Sequence, residues 1–161
     1  MSAPRRRPDA ETRQRARAAA RLAATQALFQ MEASGAGLSD VQAEFETHRL
    51  GAEIEGAAYE EADLSLFRAL LAEAVGRQAE IDQLTDRALV AKWPIDRIDP
   101  TLRALFRAAG AELLLARTPP RVAIKEFVDI ARAFFPAGRE TGFVNAVLDH
   151  MARETQPEAF A

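Results

Sequence analysis

Apolar residues recur at every third or fourth position over most of the chain, which is the spacing of a buried α-helix face. No stretch alternates between apolar and polar residues for long enough to form a sheet. The pattern predicts helices from Asp9 or Thr12 to Ala33, from Ser39, from Asp63 to about Trp93 with an end or a kink at Gly76, from Pro100 to about Arg117, from about Pro120, and from about Glu140. The predicted fold class is therefore all-α, with about six to seven helices.

Polar caps and prolines indicate where these helices begin and end. Ser39-Asp40-Val41-Gln42 has the pattern of a capping box, and Asp99-Pro100 pairs an N-cap with a proline at the first helical position. Thr118-Pro119-Pro120 stops the preceding helix. The stretch from Gly51 to Ala62 has only a weak apolar pattern and is predicted to be a loop.

Length and composition predict one globular domain with short ends. A chain of 161 residues fits a single domain, and 35 alanines favour helices. Residues 1–8, with two prolines and three adjacent arginines, are predicted to form a flexible basic arm. Residues 9–154 are predicted to form the all-α domain, and residues 155–161 are expected to fray.

The residue types argue against most catalytic and membrane functions. The chain has no cysteine, which excludes disulfides, thiolate metal sites and cysteine nucleophiles. Neither His48 nor His150 belongs to a helix-spaced set of ligands, and no glycine-rich phosphate loop is present. No apolar run approaches a membrane span, and the N-terminus lacks an apolar signal core. We expect a cytoplasmic protein that is not an enzyme and has no cofactor or metal site.

Positive charge is concentrated at the N-terminus. Residues 1–21 contain seven arginines and two acids, a net charge of +5, so the other 140 residues carry −8 of the total of −3. Arg13, Arg17 and Arg21 are spaced by four, which predicts an arginine stripe on one helix face. Such a stripe suits a polyanion such as RNA, but it is equally typical of a solvated face in an arginine-rich chain.

One phenylalanine is a candidate for base stacking. Phe143 and Val144 are adjacent near the start of the last helix, so both cannot point at the centre of the core. Phe143 therefore either stacks on unpaired bases or lies at the edge of the core. Phe29, Phe127 and Phe134 are predicted, from the helical pattern alone, to be core residues.

Several motifs resemble those of one known family, and together they span roughly residues 13–153. They are Arg17-x-x-Ala20-Arg21-x-x-Ala24-x-Gln26-x-Leu28-Phe29, Arg103-Ala-Leu-Phe-Arg107 followed by Glu112-Leu113, Thr118-Pro119-Pro120-Arg121-Val122-Ala123-Ile124-Lys125-Glu126, and Gly142-Phe143-Val144-Asn145-Ala146-Val147-Leu148-Asp149. They resemble the NusB family of transcription antitermination factors. The resemblance implies a fold of two helical bundles and no enzymatic activity. It also implies binding of boxA-type single-stranded RNA together with NusE, a small-subunit ribosomal protein, within an RNA polymerase complex that makes ribosomal RNA.

The resemblance also implies a set of site residues, although Lys125 stands where the family usually has asparagine. A cation there would strengthen a phosphate contact. The RNA-binding residues carried over or suggested are Arg13, Arg15, Arg17, Arg21, Gln26, Phe29, Lys125, Phe143 and Asn145.

An acidic body would suit a basic ribosomal partner, and we expect that contact in the segment from Asp96 to Arg107. Its candidate residues are Asp96, Asp99, Arg103 and Arg107. The oligomeric state stays open between monomer and homodimer. Two other functions also remain open: a protein–protein scaffold with a solubilising basic arm, and the detached RNA-binding domain of a ribosomal RNA methyltransferase.

Overall fold

The structure, a computed structural model, describes residues 9–48, 62–89 and 97–161. Within these ranges it contains α-helices and a short 3-10 helix but no strand, which confirms the all-α prediction. The α-helices are α1 (Ala10–Ser34), α2 (Leu38–His48), α3 (Leu64–Gly76), α4 (Gln78–Ala88), α5 (Pro100–Leu115), α6 (Pro120–Phe134) and α7 (Arg139–Thr155). The 3-10 helix (Pro157–Phe160), which we call the C-terminal segment, follows α7.

Three aspartates cap helices where the sequence predicted helix starts. The carboxylates of Asp9, Asp63 and Asp99 accept backbone N–H groups of the first turns of α1, α3 and α5 at 2.7, 3.0 and 2.7 Å. Each cap satisfies a donor that the helix itself cannot pair. Gly35 ends α1 with a φ of 73°, a left-handed conformation that glycine adopts without steric cost.

Other predicted boundaries differ from the structure. α2 begins at Leu38, so Ser39 lies inside the helix rather than at its cap. α3 ends at Gly76 and α4 begins at Gln78, which makes Gly76 an end and not a kink. α4 stops at Ala88, short of Trp93. The predicted arm, the loop up to residue 61, and Trp93 lie outside the described residues, and the 9–154 domain stays a prediction.

The chain end also differs from the expectation of fraying. The side-chain amide of Gln156 donates to the carbonyl of Leu113 at 2.9 Å, which joins the end of α7 to the end of α5. The C-terminal segment then places Phe160 against the hydrophobic core.

Helix α5 is shared by two packed groups of helices. On one side α1, α2 and α3 contact one another, and on the other side α7 contacts both α4 and α6. α5 lies between them and contacts α1, α3, α4, α6 and α7. This arrangement confirms the predicted pair of helical bundles. Among the described helices, none is both long and apolar enough to cross a membrane.

Gly110 lets α5 approach two neighbouring helices closely. A Cβ atom built at Gly110 would lie 2.6 Å from Cγ2 of Ile81 in α4 and 3.3 Å from the terminal methyl of Met151 in α7. The first distance is shorter than any normal carbon–carbon contact, so the absent side chain sets the spacing of α4, α5 and α7.

A buried ion pair joins α1 to α5. The guanidinium of Arg21 donates from Nε and Nη2 to the two carboxylate oxygens of Glu112 at 2.7 and 2.9 Å. The two side chains are only 2% and 1% exposed. Glu126 of α6 is a further carboxylate, 3.8 Å from Nη1 of Arg21. This bidentate geometry is the strongest form of arginine–carboxylate pairing, and burial shields the pair from water.

Replacing Glu112 by leucine is expected to lower the free energy of unfolding by about 3–5 kcal/mol, because the buried guanidinium loses its main carboxylate. The double variant Arg21→Met with Glu112→Leu removes both charges and is expected to recover most of that loss. Urea denaturation followed by circular dichroism measures both variants. A double variant as unstable as the single one would contradict the assigned role of the pair.

Candidate nucleic-acid interface

An exposed aromatic ring lies in a cleft between the C-terminal half of α1, the start of α5 and the end of α6. The side chain of Phe29 is 40% exposed, so the prediction that it is a core residue is wrong. The cleft has a volume of about 460 Å³, and we call it the Phe29 cleft. Its lining residues are Thr25, Gln26, Phe29, Gln30, Ala33, Ser34, Thr101 and Phe134. The ring therefore has amide and hydroxyl groups around it, and the predicted RNA-binding residue Gln26 lines the same cleft.

A second concavity lies between the N-terminal half of α1 and the turn that joins α5 to α6. It has a volume of about 370 Å³, and we call it the Arg17 groove. Its lining residues are Gln14, Arg17, Arg21, Arg117, Thr118, Pro119, Val122 and Glu126. Val122 is 45% exposed there, so the groove combines an apolar patch with arginine side chains.

The predicted arginine stripe is wrong in one member. Arg13 and Arg15 are exposed and Arg17 is partly buried, but Arg21 turns inward to Glu112. A side chain that is 2% exposed and already paired cannot grip a phosphate, so Arg21 acts as a structural residue. The signal that would have revealed this is Glu112 itself, a single acid within the apolar face of α5. A buried carboxylate requires a cation.

The third concavity brings two predicted residues together. Lys125 of α6 and Asn145 of α7 both line a groove of about 460 Å³, which we call the α6–α7 groove. Its lining residues are Arg121, Ile124, Lys125, Val128, Asp129, Arg132, Asn145 and Asp149. The ammonium of Lys125 lies 3.4 Å from a carboxylate oxygen of Asp129, which also pairs with Arg132 at 2.8 Å. These pairs are exposed, and exposed ion pairs are weak enough to exchange for a phosphate.

Phe143 lies at the edge of the core and not in any of the three concavities. Its ring is partly buried and meets the ring of Phe106 edge-on, with centroids 6.2 Å apart and planes inclined by 69°. This geometry is typical of aromatic packing. Of the two interpretations left open by the sequence, the packing interpretation therefore describes most of the ring.

The residues predicted to contact a partner protein form ion pairs between helices. Arg103 of α5 pairs with Glu32 of α1 at 2.7 Å. Arg107 donates to both carboxylate oxygens of Asp82 in α4 at 3.0 and 2.9 Å, and these hydrogen bonds raise the pKa of the guanidinium. Asp99 is the cap of α5, and Asp96 lies outside the described residues. Part of this charge therefore holds the helices together, and a partner role for these residues stays a prediction.

Sequence reasoning missed two arginines near the α5–α6 turn. Arg117 lines the Arg17 groove, and Arg121 lines the α6–α7 groove. Both flank Thr118-Pro119-Pro120, and that position was the available signal, since a rigid turn presents its neighbouring side chains at the surface. Within the described ranges, no group of three or more histidine or acidic residues has the arrangement of a metal site.

Comparison with known proteins gives a consistent result. The sequence profile of the NusB family matches residues 18–153. The transcription antitermination protein NusB of Rhodopseudomonas palustris (strain BisB18) is 48% identical over 155 residues, which cover 96% of this chain and 91% of that protein. The protein of the same name from Nitrobacter hamburgensis is 51% identical over 146 residues, 90% of this chain and 91% of the relative.

Solved structures of such proteins have a similar fold. NusB of T. maritima aligns with a TM-score of 0.70 at 28% identity, and the alignment covers 89% of this chain and 96% of that one. A crystal structure of the antitermination factors NusB and NusE in complex with dsRNA aligns with a TM-score of 0.70, covering 87% of this chain and 98% of that one. At 22% identity this second likeness concerns the fold alone.

The two aromatic residues are expected to differ in their effect on stability. Phe143→Ala is expected to lower the free energy of unfolding by about 2 kcal/mol, below the roughly 3–5 kcal/mol of a fully buried ring. Phe29→Ala is expected to change it by less than about 1 kcal/mol, since its ring already faces water. Urea denaturation of both variants tests the assignment, and equal losses would contradict it.

Proposed function

The chain belongs to the NusB family, and from that premise we propose that it is a transcription antitermination factor of the cytoplasm. In this proposal it binds boxA-type single-stranded RNA together with NusE and supports ribosomal RNA synthesis. The observation that carries the RNA-binding role is the exposed ring of Phe29 in a mainly apolar cleft that also has amide and hydroxyl side chains in its lining.

The Phe29 cleft has the chemistry that single-stranded RNA requires. An unpaired base stacks on an aromatic ring whatever its identity, and its edge takes hydrogen bonds from neighbouring side chains. Phe29 offers the ring, and Gln26 and Thr101 offer an amide and a hydroxyl group. The amide nitrogen of Gln30 already donates to Glu44 at 2.9 Å, which leaves the amide oxygen of Gln30 as an acceptor. The cleft has a volume of about 460 Å³, which is large enough for a flat base and its sugar, and we expect such a nucleoside to bind there.

Helix α6 supports a continuous path for the strand. It contributes Val122 to the Arg17 groove, Lys125 to the α6–α7 groove and Phe134 to the Phe29 cleft. Cations of the two grooves, chiefly Arg17 and Lys125, would hold phosphates on either side of α6. Phosphate contacts of this kind fix the position of the strand, whereas contacts to bases select its sequence.

The acidic remainder of the chain supports a basic protein partner. Outside residues 1–21 the net charge is −8, which favours encounter with a positively charged ribosomal protein. We propose that NusE contacts the face of α5 that includes Asp99, Arg103 and Arg107. The two arginines are 14% and 13% exposed in their side chains, so they offer only their edges to a partner.

Phe29→Ala is expected to weaken RNA binding by about 1–3 kcal/mol, the value of one base stacked on an aromatic ring. No charge is removed, so the dependence of affinity on salt should stay as in the parent protein. Fluorescence anisotropy of a labelled boxA-type RNA, with and without NusE, measures the effect against a scrambled RNA of equal length. Equal weak binding of both RNAs, with no help from NusE, would refute the proposed function and favour a protein scaffold.

The double variant Arg17→Ala with Lys125→Ala is expected to lower the RNA affinity and to reduce the slope of log affinity against log salt by about 1.4, or about 0.7 for each lost phosphate contact. Arg77→Ala is the matched control, because Arg77 is an exposed arginine paired with Glu73 and Glu80 at the junction of α3 and α4. An identical slope in the double variant and the control would exclude these two cations from the interface.

A further inference from the structure

Two arginines from different helices lie over one aromatic ring of the C-terminal segment. The guanidinium carbon of Arg121 in α6 is 4.8 Å from the centroid of the Phe160 ring, and that of Arg153 in α7 is 4.6 Å from it. Both distances are within the range of a favourable cation–π contact. We call Arg121 and Arg153 the arginine pair. The ring of Phe160 thus bridges α6 and α7 at one surface position.

The ring belongs to a short segment with little other burial. Pro157, Glu158 and Ala159 are exposed, whereas Phe160 is partly buried against the core. A 3-10 helix of four residues gains little stability of its own, since such helices have poor hydrogen-bond geometry. The position of the segment therefore depends largely on its single aromatic side chain.

The arginine pair lies next to the α6–α7 groove. Arg121 is itself a lining residue of the groove, and Arg153 pairs at 2.8 Å with Asp149, which is another. Through its contact with Arg121, Phe160 therefore lies beside the groove, which also contains Lys125 and Asn145. Besides Arg121, the groove has two cations, Lys125 and Arg132, and two carboxylates, Asp129 and Asp149. The carboxylate of Asp129 is paired with both cations and that of Asp149 with Arg153, and these exposed pairs are weak enough to exchange for a phosphate.

We propose that the arginine pair is a stacking site for a nucleobase, which Phe160 fills when no RNA is bound. The C-terminal segment is then a displaceable cover of the arginine pair, next to the α6–α7 groove. This inference rests on the RNA binding proposed above and adds a second base position, separate from the Phe29 cleft. Guanidinium planes stack on bases as they do on aromatic side chains, so a base can replace the phenyl ring on the arginine pair.

Charge favours a nucleotide over an aromatic side chain of a partner protein as the incoming group. A nucleotide places a phosphate beside its base, and Lys125 and Arg132 line the same groove as Arg121. Phe160 brings no such anion, so it fills the stacking site but leaves these cations to the exposed carboxylate of Asp129. RNA therefore makes both contacts, whereas the cover makes only one.

When a cover competes with RNA, the apparent affinity equals the intrinsic affinity multiplied by the fraction of molecules in which the site is open. Removing the two ring contacts is expected to tighten RNA binding by about fivefold, given the modest strength of exposed cation–π contacts. The test uses Phe160→Ala and Phe160→Leu, since the second variant keeps apolar packing and guards against a loss of folding. Glu158→Asp, which keeps the charge of the same segment, is the control, and circular dichroism checks that all three fold.

A second pair of variants tests the stacking site itself. In the Phe160→Ala background, Arg121→Lys and Arg153→Lys keep the positive charge but remove the planar guanidinium. Each is expected to reverse most of the fivefold gain with an unchanged salt slope. In the parent protein labelled with ¹⁵N, added RNA is expected to shift the amide signals of Ala159 and Ala161 to the positions of an unstructured chain.

The outcomes separate this inference from the proposed function. If the parent binds RNA and the Phe160 variants bind it equally or more weakly, the cover is refuted while the function stands. If no variant binds RNA, the function fails and the inference fails with it. If the Phe160 variants bind NusE more tightly and RNA as before, the arginine pair holds a protein side chain, which also overturns the proposal.

Discussion

The ion pair between Arg21 and Glu112 sets the rotation of α1, and the candidate interface depends on that rotation. Successive residues of an α-helix are turned by about 100° around its axis. Once Arg21 points at α5, Arg17 lies about 40° to one side and Phe29 about 80° to the other. These angles keep both side chains near the seam with α6 while leaving them in contact with solvent. The buried pair acts together with the buried apolar face of α1, which includes Ala20, Ala24 and Ala27, to keep both side chains out of the core.

Helix periodicity in the sequence was sufficient for the architecture but not for the orientation of each helix. Aspartate caps and prolines specify local backbone geometry, and the starts of α1, α3 and α5 were predicted correctly from them. The spacing of Arg13, Arg17 and Arg21 gives only the angles between them, not the direction of the core. That direction depends on Glu112, ninety-one residues from Arg21 along the chain.

The two aromatic residues illustrate the same limit. Phe29 has a helical apolar spacing but lies near the end of α1, where Thr101 and Phe134 leave a cleft beside it. Phe143 precedes Val144, which made one of them an exposed candidate, yet the ring of Phe106 gives Phe143 a partner at the core edge. Neither outcome is encoded in local sequence, because each depends on which distant helix supplies a neighbour.

In the described residues, arginine rather than lysine forms the ion pairs that join different helices. The sequence has nineteen arginines and two lysines. The contacts between helices show what several of these arginines do. Arg21 and Arg107 each hold both oxygens of a carboxylate on another helix, and Arg103 joins α5 to α1. A lysine ammonium lacks the planar fork that makes two parallel hydrogen bonds. The chain has no cysteine and therefore no disulfide, and these bidentate arginine–carboxylate pairs connect its helices instead.

The bare backbone at Gly110 has a consequence for how this protein can evolve. Every other amino acid adds at least one carbon at that position, and the first such carbon already meets Ile81. A bulky core residue can be replaced by another amino acid of similar volume. Glycine cannot, because every other amino acid is larger. A substitution at position 110 therefore requires a smaller or displaced side chain at position 81 of α4, whereas the flexible end of Met151 in α7 has to move only slightly. At this contact of three helices, a change at position 81 therefore has to come before a change at position 110.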